Sequence, residues 1–246
     1  MKNKALVVGI MVASTVVATT AMGGIKNSKH DLSRDSTGAS FKAAADNTQQ
    51  ICVFCHTPHS ANTGAGGTYY PLWNRSNISA AGFTLYSSIN MHNPKNATGF
   101  TTDSVSLYCM SCHDGGALGG NRIHNNPIDA LSGITMVTGK EALPNTGNKA
   151  YLGTNLSSTH PINFPVIKSG ASYDLGTAGT ASIKTSSITN ALPLFKATHS
   201  AANTSPYNAD GNLECASCHK VHDPTISPFL RTTMKGSLLC LGCHVK

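Results

Sequence analysis

The stretch Ile51-Cys52-Val53-Phe54-Cys55-His56-Thr57-Pro58-His59 decides how the rest of the chain is read. Two cysteines three positions apart, a His directly after them and a second His three residues later form a CxxCHxxH string. The string recurs as Cys215-Ala216-Ser217-Cys218-His219-Lys220-Val221-His222. A shorter CxxCH form recurs as Cys109-Met110-Ser111-Cys112-His113 and as Cys240-Leu241-Gly242-Cys243-His244. Together they use all eight cysteines of the chain. With 11 His in 246 residues, a His after every pair arises by chance roughly four times in a million, so the repetition carries chemistry.

That chemistry is covalent haem attachment. Two thiols one helical turn apart each form a thioether with a vinyl group of the same haem, and the next residue reaches the iron beneath the ring. Disulfides fit an exported chain, and CxxC pairs also build tetrahedral zinc sites. Neither gives a reason for a His directly after each pair. The sequence therefore predicts four covalently bound haem c groups, with His56, His113, His219 and His244 as proximal ligands.

Seven His remain for the opposite faces of the irons: His30, His59, His92, His124, His160, His199 and His222. Beyond the first 23 residues and outside the motifs, only Met91, Met136 and Met234 compete. The surplus predicts bis-His iron of low potential, since a Met ligand raises it. An internal repeat narrows the choice. His30, the Cys52–His59 string, Pro71-Leu72-Trp73-Asn74-Arg75 and the Cys109 motif follow in order. His160, the Cys215–His222 string, Pro228-Phe229-Leu230-Arg231 and the Cys240 motif follow in the same order. His30, His59, His160 and His222 recur and are the predicted distal ligands; His92, His124 and His199 do not recur.

His59 and His222 lie three residues after a proximal His and so project from nearly the same helical face. Neither can pass through the haem plane to its own iron, so each must ligate a different haem. Arg75 and Arg231 hold matching places in the repeat and are expected to make bidentate contacts to haem propionates. Trp73 is expected to pack against a porphyrin face or apolar neighbours.

The remainder of the chain agrees with a fold organised by cofactors. Charged residues are 12% and aromatics 6% of the chain, the former about half the usual quarter, thin material for a side-chain core. Lys2 and Lys4 precede an uncharged stretch whose apolar part is short and ends in Ala21-Met22-Gly23. This predicts a cleaved export signal over 1–23 and a single tetrahaem unit over 24–246, with pseudo-repeat halves at about 24–130 and 150–246. The segment between Asp114 and Glu214 is rich in Ser, Thr, Gly and Asn; parts such as Ser182 to Leu194 are expected to form short strands. The expected fold class is a multihaem cytochrome c: mostly irregular chain, short helices at the motifs and few strands. The formal charge of +7 falls to +5 without Lys2 and Lys4 and is scattered, so nucleic acid is excluded as a partner.

Lys29-His30-Asp31-Leu32-Ser33, Ile51 to His59, Pro71 to Arg75, His160-Pro161-Ile162 and the Cys215-to-His222 block with Phe229-Leu230-Arg231 resemble the doubled-CxxCH multihaem cytochromes of metal-respiring bacteria. Among these the chain is similar to tetrahaem outer-surface cytochromes of the OmcE type, which polymerise into extracellular haem filaments. Lys220-Val221 stands where relatives often carry Asp-Pro, which puts the local turn in doubt. The resemblance implies bis-His haems stacked as a continuous core, and extracellular electron transfer to other multihaem cytochromes or extracellular acceptors. It also implies a homopolymer in which one distal His comes from a neighbouring subunit, with His30 the candidate.

The expected function is electron transfer without substrate turnover, at or beyond the outer cell surface. A periplasmic or outer-membrane-bound carrier is the alternative. A multihaem reductase needs an open iron position beside acid–base groups, and here every motif ends in His. A membrane-anchored quinol oxidase module requires the N-terminal segment to be retained.

Overall fold

A computed structural model describes residues 24–62, 72–88, 99–166, 168–169, 172–173, 192–195 and 211–243. The predicted export signal, His92, His199, His244 and most of the predicted strand region 182–194 lie outside the described residues. Regular structure is sparse. Three α-helices are described: α1 (Ser106–His113), α2 (Cys215–Cys218) and α3 (Leu238–Leu241). Each coincides with a cysteine motif, and Cys52–Phe54 forms a single 3-10 turn at the remaining one. Two small antiparallel pairings complete the account: β1 (Phe164–Val166) with β4 (Gly211–Leu213), and β2 (Lys168–Ser169) with β3 (Ser172–Tyr173). The expectation of mostly irregular chain with helices at the motifs and few strands agrees with this arrangement. No described helix is long and apolar enough to cross a membrane.

The helices are short because their ends are specified locally. The Ser104 hydroxyl accepts from the Ser106 N–H at 3.3 Å as α1 begins. Gly115 ends it at φ 89°, a left-handed conformation that glycine adopts without a Cβ penalty. A Cβ there would also lie 2.4 Å from the Tyr151 ring. In α2 the Glu214 carboxylate accepts from the Ser217 N–H while the Ser217 hydroxyl accepts from the Glu214 N–H, a capping box across one turn.

Two apolar clusters surround the first two motifs. Val53 and Phe54 pack with Ala43, Leu118, Ile123, Ala130, Ile134 and Met136. Met110 packs with Phe83, Leu85, Phe100 and Leu156. Both include the residues between the paired cysteines, with Phe54 1% and Met110 0% exposed. The N-terminal segment is tied in by backbone bonds from Ala44 to Thr135 and from Val137 to Lys42, both 2.9 Å. The β1–β4 pairing, extended by the bond from Asn163 N–H to the Leu213 carbonyl, lays the chain after His160 beside the chain entering Cys215.

Candidate haem attachment sites and their histidines

The residues that separate the paired cysteines point inward and hold the motifs to the protein. Val53, Phe54, Met110, Ser111 and Ser217 are buried, whereas the cysteines are exposed or half-buried. The first three motifs are thus each held to the protein by residues between their cysteines. All eight cysteines are free thiols. Burial pushes Cys55 up to about 12 and Cys243 up to about 11. Among the described residues no group of three or more His, Cys, Asp or Glu is placed to hold a metal ion. Paired cysteines each followed directly by a His are the donor set that covalent haem uses.

The second and third motifs abut. α1 packs on α2, and the Cys109 thiol donates to Cys215, raising Cys109 and lowering Cys215. The Ser104 hydroxyl donates to Glu214 at 2.7 Å, and Ser106 donates to the same buried carboxylate. Ser106 also accepts from the Cys215 N–H at 3.0 Å. Burial pushes the Glu214 carboxyl up. Its adjacency to Cys215 gave no sequence signal beyond the cap, because Ser104 and Ser106 reach it from the other end of the chain.

Two histidine pairs join a proximal His to one distant in sequence. His56, of the first motif, faces His222, which follows the third; their ring centroids are 6.2 Å apart. His113, of the second motif, faces His30 with centroids 6.1 Å apart. Two imidazoles that ligate one iron from opposite sides stand about 6 Å apart, since two metal–nitrogen bonds of about 2 Å and half of each ring intervene. The second nitrogen is held as ligating imidazoles usually are. Nδ1–H of His113 donates to the Ala150 carbonyl at 2.6 Å, and Nδ1–H of His219 to the Pro228 carbonyl at 2.9 Å. His160 makes the same kind of bond to its neighbour Pro161 at 2.9 Å.

His30 also stacks on Phe229 at 4.4 Å and bonds the Val221 carbonyl. Burial, then the nearby His113, lowers it to about 4. Burial likewise lowers His113. Both rings are neutral near pH 7, the form that binds a metal. His59, His124 and His160 are exposed. His30, expected as a ligand given to a neighbouring subunit, lies beside His113 of its own chain. Trp73 packs on Tyr108 at 4.7 Å and edge-on to His56 at 5.7 Å.

The loops after the first and third motifs make matching bonds in a register that the sequence landmarks misplace. His56 bridges Trp73, and His219 bridges Leu230. Thr57 N–H donates to Leu72 at 2.9 Å, and Lys220 N–H to Phe229 at 2.7 Å; Leu72 and Phe229 both have positive φ, 52° and 60°. Asn74 N–H donates to Cys55 at 2.8 Å, and Arg231 N–H to Cys218 at 2.9 Å. The side chains agree: Asn74 Nδ2 donates to the Val53 carbonyl at 2.7 Å, and Arg231 Nε to the Ala216 carbonyl at 2.8 Å. Arg231 thus corresponds to Asn74 and not, as expected, to Arg75. The substitution of Lys220-Val221 leaves this turn closed.

Arg75 has other partners than the expected propionate. It is 0% exposed, and its guanidinium donates to the Ser111 hydroxyl and to the carbonyls of Ser111, Ala117 and Leu118 at 2.6–3.0 Å. Those acceptors arrive by folding of residues 111–118 over it, which the local motif does not reveal. Arg231 is half-buried and commits its Nε to the Ala216 carbonyl.

Residues 205–246 match the family described as the doubled CXXCH motif. This stretch covers the third and fourth motifs and supports a multihaem c-type cytochrome with covalently bound haem. No curated protein matches the chain.

Proposed function

We propose that the chain is a tetrahaem c-type cytochrome that carries electrons along bis-His haems, exported and assembled as a subunit of an OmcE-type extracellular filament. The observation that carries it is the pairing of proximal with distant imidazoles across motifs, His56 with His222 and His113 with His30, at the separation one iron requires. The haem iron supplies one-electron exchange between its ferric and ferrous forms. With haem bound, His56 with His222 and His113 with His30 would each hold one iron between two imidazoles, a donor set suited to electron transfer.

Because His222 belongs to the third motif and faces the first, one rigid turn ties the haems of the two motifs together. The Cys109–Cys215 contact brings the second and third motifs together in the same way. Haems bound at the first three motifs would then be neighbours, which supports the proposed stack. His59 and His160 are the ligands proposed for the irons of His219 and His244. Four haems that each bring about −1 when oxidised take a mature chain of +5 close to neutrality, which suits self-association and contact with other multihaem cytochromes. Negative-stain microscopy of the secreted fraction tests the assembly: filaments are expected, and isolated particles alone would sink that part of the proposal.

A further inference from the structure

Arg75 leads the fully buried side chains in size. Its guanidinium meets a hydroxyl and three carbonyls, all neutral. The ion pairs among the described residues, Arg34–Asp35, Arg122–Asp114 and Lys220–Asp223, leave it out. Burying a charge without a partner charge is costly, and the four oriented acceptors are what offset that cost here. The charge itself stays, because a guanidinium does not deprotonate in a protein.

Its position gives the charge a target. Ser111, which takes Nε at 3.0 Å and Nη2 at 2.8 Å, lies between the two cysteines of the second motif. Asn74, the preceding residue, is bonded to Cys55 and Val53 of the first motif. Arg75 therefore sits between the two attachment turns, out of water. In the loop after the third motif Arg231 takes the place of Asn74, so Thr232 stands where Arg75 does. The charge is present on one side of the repeat only, and the buried acid Glu214 lies at the junction of the second and third motifs.

We infer that Arg75 is a fixed internal cation that raises the reduction potential of the haems attached at Cys52–Cys55 and Cys109–Cys112. Reduction adds one electron to each haem and makes it more negative. A positive charge nearby, in a region of low effective dielectric and beyond the reach of salt screening, favours that state. An electron in the chain then resides preferentially on the first two haems, which gives a single subunit a direction.

Potentiometric titration of the full-length, haem-loaded protein tests this. Since haem attachment at these motifs is itself proposed above, haem content is measured first by intact mass; a wild-type chain without haem there overturns that proposal and leaves Arg75 with no role. With loading intact, Arg75→Gln is expected to lower the reduced-to-oxidised ratio of two haems about tenfold at a fixed ambient potential, a midpoint shift of about 59 mV. Arg75→Lys keeps the charge while losing most of the bonds, and keeps the midpoints. Ser111→Asp places a carboxylate against Nε and reproduces the fall, which decides the matter if Arg75→Gln does not mature. Wild-type titration curves in the Gln or Asp variants, or an equal fall in the Lys variant, overturn the inference.

Discussion

His222 stands opposite His56 with 6.2 Å between their ring centroids, so the last residue of one CxxCHxxH string faces the proximal His of the other. The expected common helical face of His219 and His222 is not formed, because the helix ends at Cys218 and His219 is extended at φ −107° and ψ 140°; folding supplies the partner of His222. Replacing His222 with Ala should therefore change the haem at Cys52–Cys55 and spare the one at Cys215–Cys218. In ferric protein with all haems loaded, about a quarter of the signal should become high-spin. Combining His222→Ala with His56→Ala should leave one iron affected, whereas a second high-spin iron in the double variant would refute the pairing.

His30 provides a test of where ligands come from. Its ring faces His113 and stacks on Phe229 within one chain. Isolated single subunits should therefore keep the iron of His113 low-spin, and His30→Ala should make it high-spin in subunits and polymers alike. If that iron is low-spin in polymers but high-spin in wild-type single subunits, the ligand is donated between copies.

Gly38 holds the segment that carries His30. A Cβ there would lie 1.6 Å from the Asn27 carbonyl oxygen, a backbone atom that cannot swing aside. Gly38→Ala should cost about 2 kcal/mol in stability and displace Asn27 and Ser28. Partial loss of six-coordination at the iron of His113 should accompany the drop in thermal midpoint. A variant with wild-type midpoint and spectrum would show that the segment has room to move.

Asn74 clamps the first motif from within. Its side chain donates to Val53 and Asn125 carbonyls and accepts from the Asn125 N–H, at 2.7, 2.9 and 2.8 Å, in a fully buried site. Asn74→Ala strands these groups and should lower stability by about 2–3 kcal/mol in denaturant titration. A loss below about 0.5 kcal/mol would mean that water takes over the bonds.

Glu214 predicts a pH dependence. Burial is the main cause that raises its carboxyl above the ordinary value of 4.5, so the folded state holds the proton more tightly than the unfolded one. Its contribution is fully present below pH about 4.5 and is lost as pH rises through the folded value. Glu214→Gln should flatten that part of the stability profile between mildly acid and neutral pH. An unchanged slope in the variant would assign the dependence to other groups.

How much of this the sequence discloses depends on the range of each interaction. The haem motifs are legible because attachment chemistry is local: thiols, spacing and His lie within five residues. The expectation that His222 serves another iron rests on a helical spacing from His219 that the extended backbone at His219 does not keep. The identity of that iron is not legible, since residues 52–56 and 215–222 meet only through tertiary packing. Arg75 and Arg231 look equivalent beside the same Pro-apolar landmarks, yet backbone bonds from Cys55 and Cys218 show Arg231 in the place of Asn74. The side-chain clusters around Phe54 and Met110 were hidden by a composition that pointed to haem as the core.

Electron paramagnetic resonance of the fully loaded ferric protein bears most directly on the central claim, that a second imidazole joins the proximal His at each iron. The account predicts four haems per chain, all low-spin. A high-spin ferric signal at full haem occupancy would contradict it.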